Sequence, residues 1–180
     1  MKATGIVRRI DDLGRVVIPK EIRRTMRIRE GDPLEIYTDR DGEVIFRKYS
    51  LMGGISDFAA NICDTVYKTT GRPALVTDRD TVLAVSGASK REFGDKQISS
   101  ELEHLMMARS IYQPQPQDQP IPVITGSDAL SVSVAAPILS QGDVLGCVVI
   151  GRTDSDKPTG ETEFTLTETS AGFLGRHMES

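Results

Sequence analysis

Near residue 50 the hydrophobic pattern of this chain changes period, and that break constrains the fold more than any other feature. Before it, short β-branched runs alternate with turn signals; after it, Leu51, Ile55, Phe58, Ile62 and Val66 recur at helical spacing. One layer of structure does not satisfy both periods, so the chain is expected to hold two units. The sequence predicts domains at residues 1–50 and 71–180, with 51–70 as a connecting helix belonging to the second.

The charge breaks at the same place. Residues 1–50 carry 12 Lys/Arg against 9 Asp/Glu, whereas residues 51–180 carry 10 against 17. Within residues 1–29 the bias sharpens to 9 basic against 3 acidic side chains. A basic head on an acidic body fits a binder of phosphate backbones whose remainder stays off the nucleic acid.

The head reads as short strands around one short helix. Strands are expected at Thr4–Ile10 and Arg15–Ile18 around the turn Asp11-Asp12-Leu13-Gly14, and at Leu34–Thr38 and Glu43–Arg47 around Asp41-Gly42. Pro19 is placed at the first helical position, and a helix over Lys20–Met26 is expected to bury Ile22 and Met26. Fifty residues with so few large side chains make a poor core, so association with further copies is the expected remedy.

The second unit reads as an α+β domain, an antiparallel sheet covered by helices. Its expected elements are a hairpin of 73–77 and 81–86 around Asp78-Arg79-Asp80, a helix over Ile98–Ala108, strands at Ser131–Leu139 and Val144–Gly151, and a last helix. Thr165 and Glu168 have the spacing of a capping box that would open that helix, with Ala171, Leu174 and Met178 on one face. Gln113 to Pro120 is an extended polar loop.

Other chemistries find little support. Cys63 and Cys147 belong to no CxxC or His/Cys cluster, so no metal site and no cofactor is expected, and both read as small buried apolar residues. Nothing brings them to His104 or His177 as a nucleophile and base, and Gly53-Gly54 lacks the rest of a phosphate loop, so an enzyme is not expected. The longest apolar run, Val144 to Ile150, is far too short to span a bilayer; with no signal-like N-terminus, the cytoplasm is the expected location.

The run from Gly5-Ile6-Val7-Arg8-Arg9-Ile10-Asp11-Asp12-Leu13-Gly14 through Arg15-Val16-Val17-Ile18-Pro19-Lys20-Glu21-Ile22-Arg23-Arg24-Thr25, with Leu34-Glu35-Ile36-Tyr37, resembles the AbrB family of swapped-hairpin transcription regulators. The remainder is similar to a GAF domain through Asp78-Arg79-Asp80 with Ala84 to Gly87, Gly142 to Ile150, and Glu168 to Leu174. The resemblance implies a swapped-hairpin β-barrel made by two interleaved copies of residues 1–50, a homodimer through that domain, and a homotetramer overall. It implies binding to double-stranded DNA through Arg8, Arg15, Arg23 and Arg24. Arg9 and Lys20 are added on charge alone, while Arg27, Arg29, Arg40, Arg47 and Lys48 read as a solvated face. Similarity of the full architecture to sporulation regulators implies a transcription regulator that activates and represses late forespore genes. A GAF domain implies an unidentified small-molecule ligand or a purely structural, oligomer-stabilising role. Two alternatives stay open: an antitoxin-like protein-binding module, and a sensor or scaffold that does not bind DNA.

Overall fold

The computed structural model describes residues 5–152 and 159–179. The chain parts into two compact units between Tyr49 and Ser50.

In the first unit, α1 (Lys20–Thr25) is followed by a hairpin of β1 (Leu34–Thr38) and β2 (Val44–Lys48), paired in the register Ile36 to Phe46. The Asp39 carboxylate closes the hairpin by accepting from the Asp41 and Glu43 amides at 3.0 and 2.9 Å, and Gly42 supplies the positive φ the turn needs. Before α1, the chain reverses at Asp11–Gly14, where the Gly14 amide donates to Asp11 O and the Asp11 amide to Arg15 O, both at 3.0 Å.

Three expectations for this unit need correction. Among the described residues, 5–10 and 15–18 form no ladder; Thr4, the start of the first expected strand, lies outside them. Their β-branched side chains favour an extended backbone, but a strand exists only where a second edge meets it. Pro19 is the N-cap of α1 and not its first residue: its ψ of 148° keeps it extended while its carbonyl accepts from the Arg23 amide at 2.9 Å. Met26 is 53% exposed and Ile22 half-buried, because a two-stranded hairpin and one short helix enclose nothing.

The second unit begins with a 3-10 turn, Gly53–Ile55, leading into α2 (Ser56–Thr70), which ends on left-handed Gly71. There follow β3 (Ala74–Asp78), β4 (Val82–Ser86), α3 (Lys90–Phe93), α4 (Ser100–Met107), β5 (Pro122–Ile124), β6 (Ser127–Ser140), β7 (Asp143–Arg152) and α5 (Glu161–His177). The five strands form one antiparallel sheet in the order β4-β3-β7-β6-β5.

Both faces of the sheet are covered. Leu75, Val85, Cys147 and Val149 pack with Phe93, Leu102 and Met106 on one side, and Val76, Ile138, Val148 and Ile150 pack with α2 and α5 on the other. That is why Val144 to Ile150 is a continuous apolar run: it is the centre of a sheet buried on both faces.

Two helices differ from expectation in phase or extent. In α2 the fully buried residues are Ala59, Cys63 and Val66; Phe58 and Ile62 flank them half-buried and Leu51 is exposed. Small side chains at 59 and 63 let the helix axis approach the sheet, and the larger ones straddle that contact. α5 starts at Glu161, where Glu163 Oε2 accepts from the Gly160 amide at 2.9 Å, so Thr165 and Glu168 lie inside the helix and open nothing. The three-residue β5 and four-residue α3 were not expected, being too short to show a period.

Candidate nucleic-acid interface

Among the described residues, the cations of the first unit other than the exposed Arg40 of the hairpin turn fall into two sets. Arg8, Arg9, Arg15, Lys20, Arg23 and Arg24 are all solvent-exposed. They come from three consecutive pieces: Arg8 and Arg9 precede the Asp11–Gly14 turn, Arg15 leaves it, and Lys20, Arg23 and Arg24 lie on α1. The Arg23 and Arg24 guanidiniums fall in the last turn of α1, where the free carbonyls favour positive charge.

The second set serves the fold. Lys48 Nζ donates to Arg27 O at 2.9 Å and lies 3.4 Å from Asp32 Oδ2, a carboxylate that also accepts from the Arg29 amide at 2.8 Å. Arg27 adopts a positive φ of 50° and is half-buried. Arg47 stacks its guanidinium 4.7 Å from the Tyr37 ring centroid. Arg27, Arg29 and Lys48 are therefore not a solvated face; they join β2 to the turn after α1.

Sequence reasoning passed over Asp11. Its Oδ1 accepts from the Leu13 amide at 3.0 Å and the Arg15 amide at 2.8 Å, while its Oδ2 accepts from Arg15 Nε at 2.8 Å. The Arg15 amide and then its guanidinium hold the Asp11 carboxyl below its ordinary 3.8. The Asp-to-Arg spacing of four across a turn that ends in glycine was the available signal.

In the second unit the thiols are inert. Burial pushes Cys63 and Cys147 each up to about 12, so both stay protonated, and Cys147 Sγ donates to Val148 O at 3.5 Å. His177 stacks on Phe58 with centroids 4.6 Å apart, and His104 is exposed on α4. A shallow cleft of about 370 Å³ is lined by Gln113, Thr159, Gly160, Glu161 and Phe164. Among the described residues no helix is long and apolar enough to cross a membrane.

This arrangement has close relatives. Residues 54–179 match the family described as stage V sporulation protein T C-terminal, transcription factor, and residues 7–51 match the MazE family of bacterial antitoxins, described as antidote-toxin recognition. The chain is 51% identical to stage V sporulation protein T of Bacillus subtilis over 180 residues, 99% of each chain. Its first unit is 63% identical over 49 residues to the transition state regulatory protein AbrB of the same organism, covering 27% of this chain and 50% of that one. The second unit has the fold of the GAF domain of an Acinetobacter phosphoenolpyruvate-protein phosphotransferase, with a TM-score of 0.56 at 12% identity over 73% of this chain and 83% of the other. An AbrB-type head thus precedes a body with the GAF fold, the sequence matches one relative along nearly its whole length, and the chain belongs to the stage V sporulation protein T family of transcription factors.

Proposed function

We propose that residues 1–50 bind double-stranded DNA as an interleaved pair, that 51–70 connect them to the second unit, and that 71–180 regulate or stabilise the assembly as a tetramer. The observation that carries this is the sorting of the cations. Six are exposed between Arg8 and Arg24; of the cations beyond them, those at 27, 29 and 48 are engaged in the fold, while Arg40 and Arg47 are exposed on the hairpin. Arg8, Arg15, Arg23 and Arg24 grip phosphate or guanine with planar forks, and Arg9 and Lys20 add charge.

A second observation supports the pairing. Val7, Ile10, Leu13, Val16 and Val17 are exposed, Val7 at 85% and Val17 at 70%, on segments that hold no ladder among the described residues. A second copy supplies the missing strand edges and covers those side chains in one step. The resulting regulator activates and represses late forespore genes in the cytoplasm and is not an enzyme; relatedness to a sporulation protein and the protonated thiols support those parts.

The test is binding to sporulation promoter DNA by the wild-type chain and by Arg15→Ala and Arg23→Ala, with circular dichroism and solution mass measured on each. The proposal expects both variants to bind about tenfold or more weakly than wild type at the same low salt, while fold and mass stay unchanged. Loss of fold in either would make that arginine structural. Absence of binding by the wild-type chain at low salt would favour a scaffold, or the protein-neutralising role that the antitoxin match suggests.

A further inference from the structure

The two oxygens of Asp11 do different work. Oδ1 accepts from the Leu13 and Arg15 amides and so holds the turn, together with the two backbone bonds between Asp11, Gly14 and Arg15. Among the described residues Oδ2 makes one contact, to Arg15 Nε at 2.8 Å, with the arginine side chain 70% exposed. An ion pair this open to water adds little net stability, and the turn is already closed without it. The contact does fix how the guanidinium is presented. With Nε occupied, the Nη1 and Nη2 edge is the fork left to a partner, and no other group among the described residues takes it. That end-on fork has the spacing of the two guanine acceptors in the major groove or of two phosphate oxygens.

Resting on the DNA-binding reading above, we infer that Asp11 is a positioning residue for sequence discrimination: it holds Arg15 side-on and aims its remaining fork at the DNA. A carboxylate beside an arginine at the DNA surface also opposes non-specific attraction to the backbone, because it cancels one cation in the Coulomb sum. Asp11 therefore lowers affinity for any duplex and raises the preference for the right one.

Asp11→Asn separates the two roles, since an amide oxygen still accepts from the Leu13 and Arg15 amides, while an amide nitrogen repels Nε where Oδ2 attracted it. Asp12→Asn is the control: it removes the same charge from the same turn without touching Arg15. The measurement is the affinity of the full-length protein for a duplex selected from a random pool by the wild type, divided by its affinity for the same composition shuffled. Both variants are expected to bind the shuffled duplex a few-fold more tightly than wild type. Only Asp11→Asn is expected to lower the ratio, by about tenfold, and the loss is expected to vanish when Arg15→Ala is already present. A wild-type ratio in Asp11→Asn, an equal fall in Asp12→Asn, or a fall that persists with Arg15→Ala would overturn the inference. So would wild-type binding with no sequence preference, which leaves the DNA reading standing; no binding at all removes the DNA reading itself. Should Asp11→Asn unfold, Arg15→Lys replaces it, keeping a cation beside Asp11 but lacking a second edge. Its ratio must fall about tenfold with the salt dependence unchanged, and an unchanged ratio overturns the inference.

Discussion

Arg72 and Glu163 show how much a single pair holds in this chain. Arg72 Nε lies 3.2 Å from Glu163 Oε1, with side chains only 12% and 16% exposed, and joins the exit of α2 to the first turn of α5. Arg72→Ala leaves a part-buried carboxylate without its cationic partner and is expected to cost about 2 kcal/mol in denaturant unfolding. Burial alone would raise the Glu163 carboxyl, but the Glu163 and Gly160 amides and the Arg72 guanidinium outweigh it and hold it below 4.5. The stability from that shift is present above about pH 4.5 and is lost as pH falls through the lower folded value. Unfolding free energy in the wild type should therefore drop on acidification below pH ~4.5 more steeply than in Glu163→Gln, with the two curves parallel between pH 6 and 8; parallel curves throughout would refute the assignment. At this scale the sequence shows residue type and hides partnership. Arg23 and Lys48 look alike in a charge count, yet Lys48 finds Arg27 O 21 positions away, a contact no local pattern encodes.

Among the elements, α5 is fitted to the sheet by one glycine and not by another nearby. A Cβ at Gly175 would stand 2.1 Å from Leu139 O in β6, whereas a Cβ at Gly172 would meet nothing within 4 Å. Gly175→Ala is expected to destabilise by about 3 kcal/mol through overpacking against backbone, and Gly172→Ala to stabilise by about 0.7 kcal/mol by restricting the unfolded chain. Thermal melts of the two variants read opposite signs if the close approach is real; equal shifts would contradict it. The long elements of this unit were legible because buried faces impose periods: both hairpin strands at 74–86 and the centres of β6, β7 and α4 lie where patterning puts them. Phase and ends were less legible. The buried stripe of α2 is set by Ala59 and Cys63, which a pattern of large apolar residues overlooks, and the N-cap of α5 is a glycine whose amide donates to the Glu163 carboxylate.

At the scale of the molecule, the hydrophobic period changes near residue 50, and the structure divides into two compact units between Tyr49 and Ser50. The weak core of the first unit was legible from composition, and the exposed Val7, Ile10 and Val17 are its structural expression. The absence of strands at 5–10 and 15–18 was not, because strand propensity belongs to a segment and pairing to whatever lies beside it. If a second copy lies there, unfolding is coupled to association, and the melting temperature of the full chain should rise with protein concentration; a temperature independent of concentration, with solution mass equal to one chain, would contradict the paired head.

The most direct test of a paired basic head on DNA is the slope of log binding constant against log salt concentration for promoter duplex. Arg8, Arg23 and Arg24 from two copies give about six phosphate contacts and a slope of about −5. This account predicts a slope near −5 that becomes shallower by about two in Arg23→Ala, since each copy then grips one phosphate fewer; a flat salt dependence, or a slope unmoved by Arg23→Ala, would contradict it.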